Sequence, residues 1–134
     1  MKGDFYIKGR QNFKSKGERQ IARFLEKENI LYNYESPLAV VDDGKTKIWY
    51  PDFQLPEYGL IMEYFGVTGS AEYDRQTKHK MDVYKSSGIE GIFLTEDSLK
   101  GDWPAYIAGQ IGSILKGRLD RFYSRNNKVW PFDE

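Results

Sequence analysis

Two acidic residues of this chain lie where an ionised side chain is costly. Asp52 and Glu63 each interrupt an apolar segment, YPDFQLP and LIMEYFG, and a buried carboxylate needs a hydrogen-bonding partner, a cation or a metal. The segments are joined by a short turn over 56–59, so we expect both carboxylates to meet at one sheet edge. Two like charges this close favour a cation between them, and Mg²⁺ prefers oxygen ligands. The pair therefore predicts a divalent-metal site.

A third acid, Glu18, lies near the beginning of a predicted helix. Ser15 and Glu18 have the spacing of a capping box, in which both side chains accept hydrogen bonds from backbone N–H groups. Glu18 also shares a helix face with Ile21 and Leu25, so its side chain tends toward the core. From the residues alone both interpretations stay open: a helix cap, or a further acid at the same site.

These residues need a scaffold of strands and helices. The apolar periodicity predicts helices over 15–28, 71–86 and from 103 to 116 or beyond. It predicts strands over 30–38, 38–41, 47–55, 60–65 and 89–95, with Asp43–Gly44 as a hairpin turn. This order predicts a single α/β domain over 1–134, with a mixed four-to-five-stranded sheet flanked by helices.

Taken in order, these segments resemble the PD-(D/E)XK nuclease superfamily. The resemblance rests on Ser15 to Glu18 (SKGE) opening a helix, on Pro51-Asp52, and on Glu63 in an apolar strand. The pattern is most similar to nuclease domains attached to superfamily 1 helicases, which read Y-x-P-D-F-x-L-P and then I-E-x-F-G. This chain has WYPDFQLP and MEYFG at those places.

The resemblance covers about 13–116 and leaves 117–134 as a basic helical tail. It implies a restriction-endonuclease-like αβββαβ core that hydrolyses phosphodiester bonds in DNA. It also implies that Mg²⁺, for which Mn²⁺ can substitute, is held by Asp52, Glu63, the backbone carbonyl of Tyr64 and Glu18, the last directly or through water.

One position departs from the superfamily pattern. The pattern places a lysine two residues after the glutamate, whereas this chain has Phe65 there. Some members carry that lysine on the following helix. At about 100° per residue, Lys80 falls on the stripe of the predicted helix that contains Tyr73, Thr77 and Tyr84, and Lys78 points away. We expect Lys80 to be the relocated catalytic lysine, with Gln76 at the border of the stripe; the alternative is that its stem packs and its ammonium reaches solvent.

The formal net charge is zero, but the charges are unevenly distributed. Residues 1–30 carry eight basic and four acidic residues, whereas 31–72 carry two and seven. The basic ends, which include Lys8, Arg10 and Lys128, suit phosphate contacts on both sides of a cut. The residues expected to contact nucleic acid are Lys14, Lys16, Arg19, Gln76, Arg118, Arg121 and Arg125.

The chain has no cysteine and no apolar run long enough to span a bilayer. These features predict a cytoplasmic protein without a membrane partner, and the resemblance implies that it is associated with DNA. Two alternatives stay open. One is a Holliday-junction resolvase of the same fold, whose small members act as homodimers. The other is a non-catalytic DNA-binding or adaptor protein, which is motivated by Phe65. The helicase-attached members also raise the expectation of a helicase partner.

Overall fold

A computed structural model of the chain describes residues 12–66 and 69–126. Within these ranges the helices are α1 (Lys16–Lys27), α2 (Ala71–Ser86) and α3 (Trp103–Asn126), with a 3₁₀ helix at Ser98–Lys100. The strands are β1 (Asn33–Tyr34), β2 (Leu38–Asp42), β3 (Lys45–Trp49), β4 (Phe53–Leu55), β5 (Leu60–Tyr64) and β6 (Gly91–Leu94). Helix α1 thus precedes five strands, and β6 lies between α2 and α3.

The strands described by the structure form a four-stranded sheet and a separate hairpin. The sheet has the order β1-β4-β5-β6, with β4 antiparallel to both neighbours and β6 parallel to β5. A parallel pair needs a crossover, and α2 supplies it. Strands β2 and β3 pair only with each other. The predicted class, a single α/β domain with a mixed sheet flanked by helices, is confirmed.

Apolar side chains cover both faces of the sheet. One face is covered by α1 and α3, through a cluster that includes Ile21, Leu25, Phe53, Met62 and Ile107. The other is covered by α2 and the hairpin, through Val40, Ile61, Val83 and Tyr84. Because successive strand residues face opposite sides, Glu63 lies on the same face as Ile61. The sheet therefore presents Glu63 to α2.

Two predicted strands are wrong in extent. The segment predicted as one strand over 47–55 is interrupted at Pro51, which has no N–H to donate to a neighbouring strand, so its two parts belong to β3 and β4. The segment predicted over 30–38 is reduced to β1, because Glu35 has a positive φ of 53° that ends the extended conformation. Both interruptions lie beside Asp52, whose carbonyl accepts a hydrogen bond from Glu35 N–H over 3.1 Å.

The helices agree with the sequence prediction. Helix α1 begins after Ser15, and α2 has the predicted bounds 71–86. The turn residues Asp43 and Gly44 both have positive φ, 54° and 73°, as a two-residue type I′ hairpin turn requires. Helix α3 continues past 116 to Asn126, so the predicted core and tail share one helix.

None of the helices within 12–66 and 69–126 is both long enough and apolar enough to cross a bilayer. Helix α3, the longest of them, instead carries charged side chains along its second half.

Candidate active site

Asp52 and Glu63, the acid pair, lie side by side on the α2 face of the sheet. The register pairs Phe53 with Met62, which places Asp52 opposite Glu63. Asp52 N–H donates to Glu63 Oε1 over 3.3 Å, and Tyr64 N–H donates to Asp52 Oδ2 over 2.7 Å. The two acids therefore lie together as the sequence predicts, and each carboxylate is held by a backbone N–H group.

The second oxygen of Glu63 faces α2. The Tyr84 hydroxyl donates to Glu63 Oε2 over 2.5 Å, and Lys80 Nζ lies 3.5 Å from the same oxygen. Burial, followed by the hydrogen bond to Glu63, raises the pKa of the Tyr84 hydroxyl, so it stays a donor. Lys80 Nζ also lies 5.9 Å from the centroid of the Phe65 ring, within the range of a cation–π contact. The ammonium of Lys80 therefore lies close both to the acid pair and to Phe65, the residue that replaces the motif lysine.

Side-chain exposure along α2 separates its two central lysines. Tyr73, Thr77 and Lys80 are half-buried and Tyr84 is buried, so the predicted stripe faces the sheet. Lys78 is exposed, and its Nζ lies 2.9 Å from Asp82 Oδ2 on the same helix. Two lysines only two residues apart therefore have different surroundings, and one is a matched control for the other.

Glu18 is buried, but its carboxylate is used at the start of α1. Its Oε1 accepts hydrogen bonds from Lys14 N–H over 3.1 Å and from the Tyr34 hydroxyl over 2.5 Å. Its own N–H donates to Ser15 Oγ over 3.1 Å. This is a capping arrangement in which Lys14 supplies the N–H bound by the glutamate. Among the described residues no cluster of three acidic or histidine side chains converges to hold a metal ion, and a contact of Glu18 with the metal, directly or through water, stays a prediction.

Gly17 sets the distance between α1 and β5. A Cβ at this position would collide with the ring of Tyr64, so any larger residue would push the helix and the strand apart. Tyr64 is also the residue whose N–H binds Asp52. Gly17 therefore allows the start of α1, with Glu18 and Lys14, to lie close to the acid pair.

Burial opposes the negative charges of the acid pair, and the neighbouring cations offset them only in part. Asp52 and Glu63 are 6% and 2% exposed. The closest ammonium groups are on Lys14, 3.8 Å from Asp52 Oδ1, and on Lys80, and the two lysine side chains are 62% and 44% exposed. Burial, followed by the charge of Glu63, raises the pKa of Asp52 to about 8. A proton or a further cation therefore stabilises the pair.

The donor atoms at this position suit a hard divalent ion. Asp52 and Glu63 supply carboxylate oxygens, and Tyr64 supplies the next backbone carbonyl along β5. Mg²⁺ binds in proteins through one or two carboxylates and fills its remaining positions with water and substrate phosphate. Two buried carboxylates with uncompensated charge fit that requirement without a third acid.

A cleft of about 430 Å³ opens beside Lys80. Its walls include Phe65, Tyr73, Gln76, Thr77 and Lys80. Lys80, whose Nζ lies 3.5 Å from Glu63 Oε2, lines this cleft, so the cleft lies close to the acid pair. Burial, followed by the charge of Asp52, raises the pKa of the Tyr73 hydroxyl in the same wall. The cleft is large enough for a nucleotide-sized group and connects Lys80 with solvent.

The residues predicted to contact nucleic acid do not share one surface. Lys14 lies at the acid pair, Lys16 and Arg19 are exposed on α1, and Gln76 lines the cleft. Arg125 is exposed in the last turn of α3. Lys8, Arg10 and Lys128 lie outside the described residues. The surface near the acid pair therefore includes the residues from the α1 region and α2.

Arg118 and Arg121 lie at the opposite end of β5. Arg118 donates to Glu90 Oε1 over 2.5 Å and to the carbonyls of Tyr58 and Gly59 over 2.6 and 2.9 Å. Arg121 donates to Glu90 Oε2 over 3.3 Å. Because a strand advances about 3.3 Å per residue, the guanidinium of Arg118 is far from Glu63. Through these contacts Arg118 holds α3 against the sheet, and its contact with phosphate stays a prediction.

Sequence reasoning missed two residues that follow α1. Tyr34 binds Glu18, and Glu35 Oε2 lies 2.6 Å from Lys14 Nζ. In the sequence, Tyr34 has the pattern of an ordinary strand residue. Only its spacing of two residues from Tyr32 indicates that both side chains face the same side. No sequence pattern indicates the positive φ of Glu35, which turns the chain back toward Asp52.

No family model matches this sequence, and no curated protein or solved structure matches the chain. The likeness to the PD-(D/E)XK superfamily therefore stays a resemblance of motifs. The contacts of the acid pair and Lys80 are observed in this chain itself, and they are the basis for a functional proposal.

Proposed function

We propose that this protein is a metal-dependent endonuclease that hydrolyses phosphodiester bonds in DNA. The observation that supports the proposal most is the position of Lys80, whose Nζ lies 3.5 Å from Glu63 Oε2. This ammonium comes from α2, whereas the motif position in the strand is filled by Phe65. Two buried carboxylates, together with a lysine that lines the neighbouring cleft, are groups that metal-dependent phosphodiester hydrolysis uses.

Each of these groups has a role in the proposed reaction. Asp52, Glu63 and the carbonyl of Tyr64 would hold Mg²⁺ or Mn²⁺. When bound, such an ion lowers the pKa of water and neutralises charge on the phosphate. Lys80 donates hydrogen bonds to a phosphate oxygen and stabilises the negative charge that develops as water attacks phosphorus and the P–O ester bond breaks. Tyr84 keeps Glu63 oriented through its hydroxyl.

Under this proposal the protein is cytoplasmic and its partner is DNA. The exposed basic residues beside the site, Lys14, Lys16 and Arg19, offer phosphate contacts along α1. Branched DNA as the substrate, a homodimer and a helicase partner are narrower forms of the same proposal. A preference for a four-way junction together with a dimeric mass in solution supports the resolvase form.

A non-catalytic DNA-binding or adaptor protein is the second candidate. It is favoured by Phe65 at the motif position and by the use of Glu18 as a helix cap. This candidate predicts salt-dependent DNA binding without cleavage, or no DNA binding at all for an adaptor. The proposed endonuclease requires Mg²⁺-dependent cutting.

The experiment is a cleavage assay on plasmid, single strands and a four-way junction with Mg²⁺, Mn²⁺ or EDTA. We expect cleavage with either metal, none in EDTA, and none for Asp52→Ala. The matched control is Asp97→Ala, because the Asp97 side chain is 79% exposed and pairs only along its own helical turn with Lys100. Undiminished cutting by Asp52→Ala, or no cutting of any substrate by the wild type, overturns the proposal.

A further inference from the structure

A second lysine stands at the acid pair. Lys14 Nζ lies 3.8 Å from Asp52 Oδ1 and 2.6 Å from Glu35 Oε2. Asp52 Oδ2 is already bound by Tyr64 N–H, so the oxygen that faces Lys14 is the one left for a cation. Lys14 therefore occupies the approach to an oxygen that the proposed metal would need.

The backbone of Lys14 is held in place while its side chain is exposed. Its N–H donates to Glu18 Oε1 over 3.1 Å and to the Tyr34 hydroxyl oxygen over 3.1 Å. Its side chain is 62% exposed, so the four-carbon stem and the ammonium have room to move. The anchored main chain keeps the ammonium within reach of Asp52 and allows it to withdraw.

Glu35 is the second carboxylate, besides Asp52, with which the Lys14 ammonium pairs. Its N–H donates to the Asp52 carbonyl over 3.1 Å, which fixes it beside the same residue that Lys14 faces. The shorter of the two Lys14 ion pairs is with Glu35.

We infer that Lys14 is the counter-ion of Asp52 in the metal-free protein and that it yields Asp52 to a divalent ion while it stays paired with Glu35. The inference rests on the proposed metal site and adds a residue that controls its affinity. Because the ammonium and the metal compete for one carboxylate, Lys14 weakens metal binding. Because Glu35 draws the ammonium away, Glu35 strengthens metal binding.

The test measures Mn²⁺ and Mg²⁺ binding to the full chain by titration calorimetry, without nucleic acid. Lys14→Met keeps the apolar stem and removes the charge, and we expect it to bind metal about threefold more tightly, the size of one exposed ion pair. Glu35→Gln leaves Lys14 without its alternative partner, and we expect about threefold weaker binding. In the double variant Lys14→Met/Glu35→Gln, the effect of Glu35→Gln should shrink, since no ammonium remains to be drawn away.

Lys16→Met is the matched control. Lys16 lies two residues further along and lines a different depression with Gly17 and Glu96, so its variant should bind metal as the wild type does. A second readout is thermal unfolding in EDTA. There Lys14→Met should lower the melting temperature slightly and should gain more from added Mn²⁺ than the wild type gains.

The possible outcomes separate the inference from the proposed function. If Lys14→Met binds metal no more tightly than the wild type, or if Glu35→Gln weakens binding equally with and without Lys14, the role of Lys14 is overturned and the metal site stands. If the wild type binds neither ion, the metal site itself is wrong and the inference falls with it.

Discussion

The two ends of strand β5 carry charged groups of opposite balance. At its start, Arg118 and Arg121 share one acid, Glu90, and Arg118 donates in addition to two backbone carbonyls. At its end, the two buried carboxylates of the acid pair face Lys14 and Lys80, whose ammonium groups lie at the rim, 3.8 and 3.5 Å away. One group is satisfied within the chain, and the other retains excess negative charge.

This difference indicates which end serves the fold and which serves a ligand. A partly buried ion pair whose donors and acceptors are matched is destabilised when one partner is lost, because the other is left without its contact. A pair of like charges in a buried place is stabilised when one charge is removed. Charge-removing substitutions should therefore lower stability at the start of β5, whereas at its end the removal of a carboxylate charge should abolish activity and raise stability.

The largest effect is expected for Glu63→Gln. This change keeps the shape of the side chain and an oxygen that accepts from Asp52 N–H, but it removes one of the charges that would hold the metal. We expect the rate of plasmid cleavage in Mg²⁺ to fall by about 1000-fold, measured from initial rates. The control is Glu90→Gln at the other end of β5, which should cleave normally per folded molecule. Equal losses in both variants would erase the distinction between the two ends.

Lys80→Met should have the next largest effect. We expect about a 100-fold lower rate of cleavage, the usual cost of removing one donor to a developing charge, with circular dichroism unchanged. Lys78→Met should stay within about twofold of the wild type, because Lys78 is exposed and pairs with Asp82. If both lysine variants lose activity to the same extent, Lys80 acts as part of a general basic surface and not at the reacting phosphate.

These residues also show how far sequence reasoning reached. The acid pair and Lys80 could be predicted because each breaks a local pattern: a carboxylate in an apolar strand, and a cation on an apolar stripe of a helix. The helices could be predicted from caps and periodicity. Lys14 was predicted only as a phosphate contact, because its approach to Asp52 depends on the start of α1 meeting the turn at Glu35.

The errors in the predicted extent of two strands also arise from contacts between segments that meet only in the fold. A run of β-branched and aromatic residues such as 45–55 favours extended structure throughout. Pro51 interrupts pairing, but which neighbour each half joins is decided by packing across the sheet. Arg118 was predicted to bind phosphate because a basic cluster on an exposed helix usually does, and only the fold shows that Glu90 and two carbonyls lie within its reach.

At the start of β5, the substitution Arg118→Met should lower the stability of the fold and leave the cleavage activity unchanged. The variant leaves Glu90 with the weaker contact to Arg121 and leaves two carbonyls without their donor. We expect the free energy of unfolding to fall by about 2 kcal/mol, measured by urea denaturation, with unchanged cleavage per folded molecule. Arg125→Met, on the exposed last turn of the same helix, should change stability by less than about 0.5 kcal/mol. A loss of DNA affinity at unchanged stability would return Arg118 to the nucleic-acid surface.

The smallest effect, and the one with the opposite sign, is expected for Asp52→Asn in EDTA. The asparagine oxygen still accepts from Tyr64 N–H, while the charge that faces Glu63 is gone. The pKa of Asp52 is raised from 3.8 to about 8 by burial and by Glu63, and Glu18 adds to this rise, whereas the hydrogen bond from Tyr64 N–H opposes it. Between these two pH values the unfolded chain loses this proton while the folded protein keeps it, so the wild type loses stability as the pH rises.

The melting temperatures of Asp52→Asn and the wild type should therefore be similar at pH 4. At pH 8 the variant should melt about 3 °C higher, measured by differential scanning calorimetry. Glu90→Gln in the same buffer should melt lower than the wild type at pH 8, because it removes the partner of two arginines. Added Mg²⁺ should raise the melting temperature of the wild type but not of Asp52→Asn. If Asp52→Asn melts below the wild type at pH 8 in EDTA, the acid pair is already neutralised within the chain, and the two ends of β5 do not differ in the way that a metal site requires.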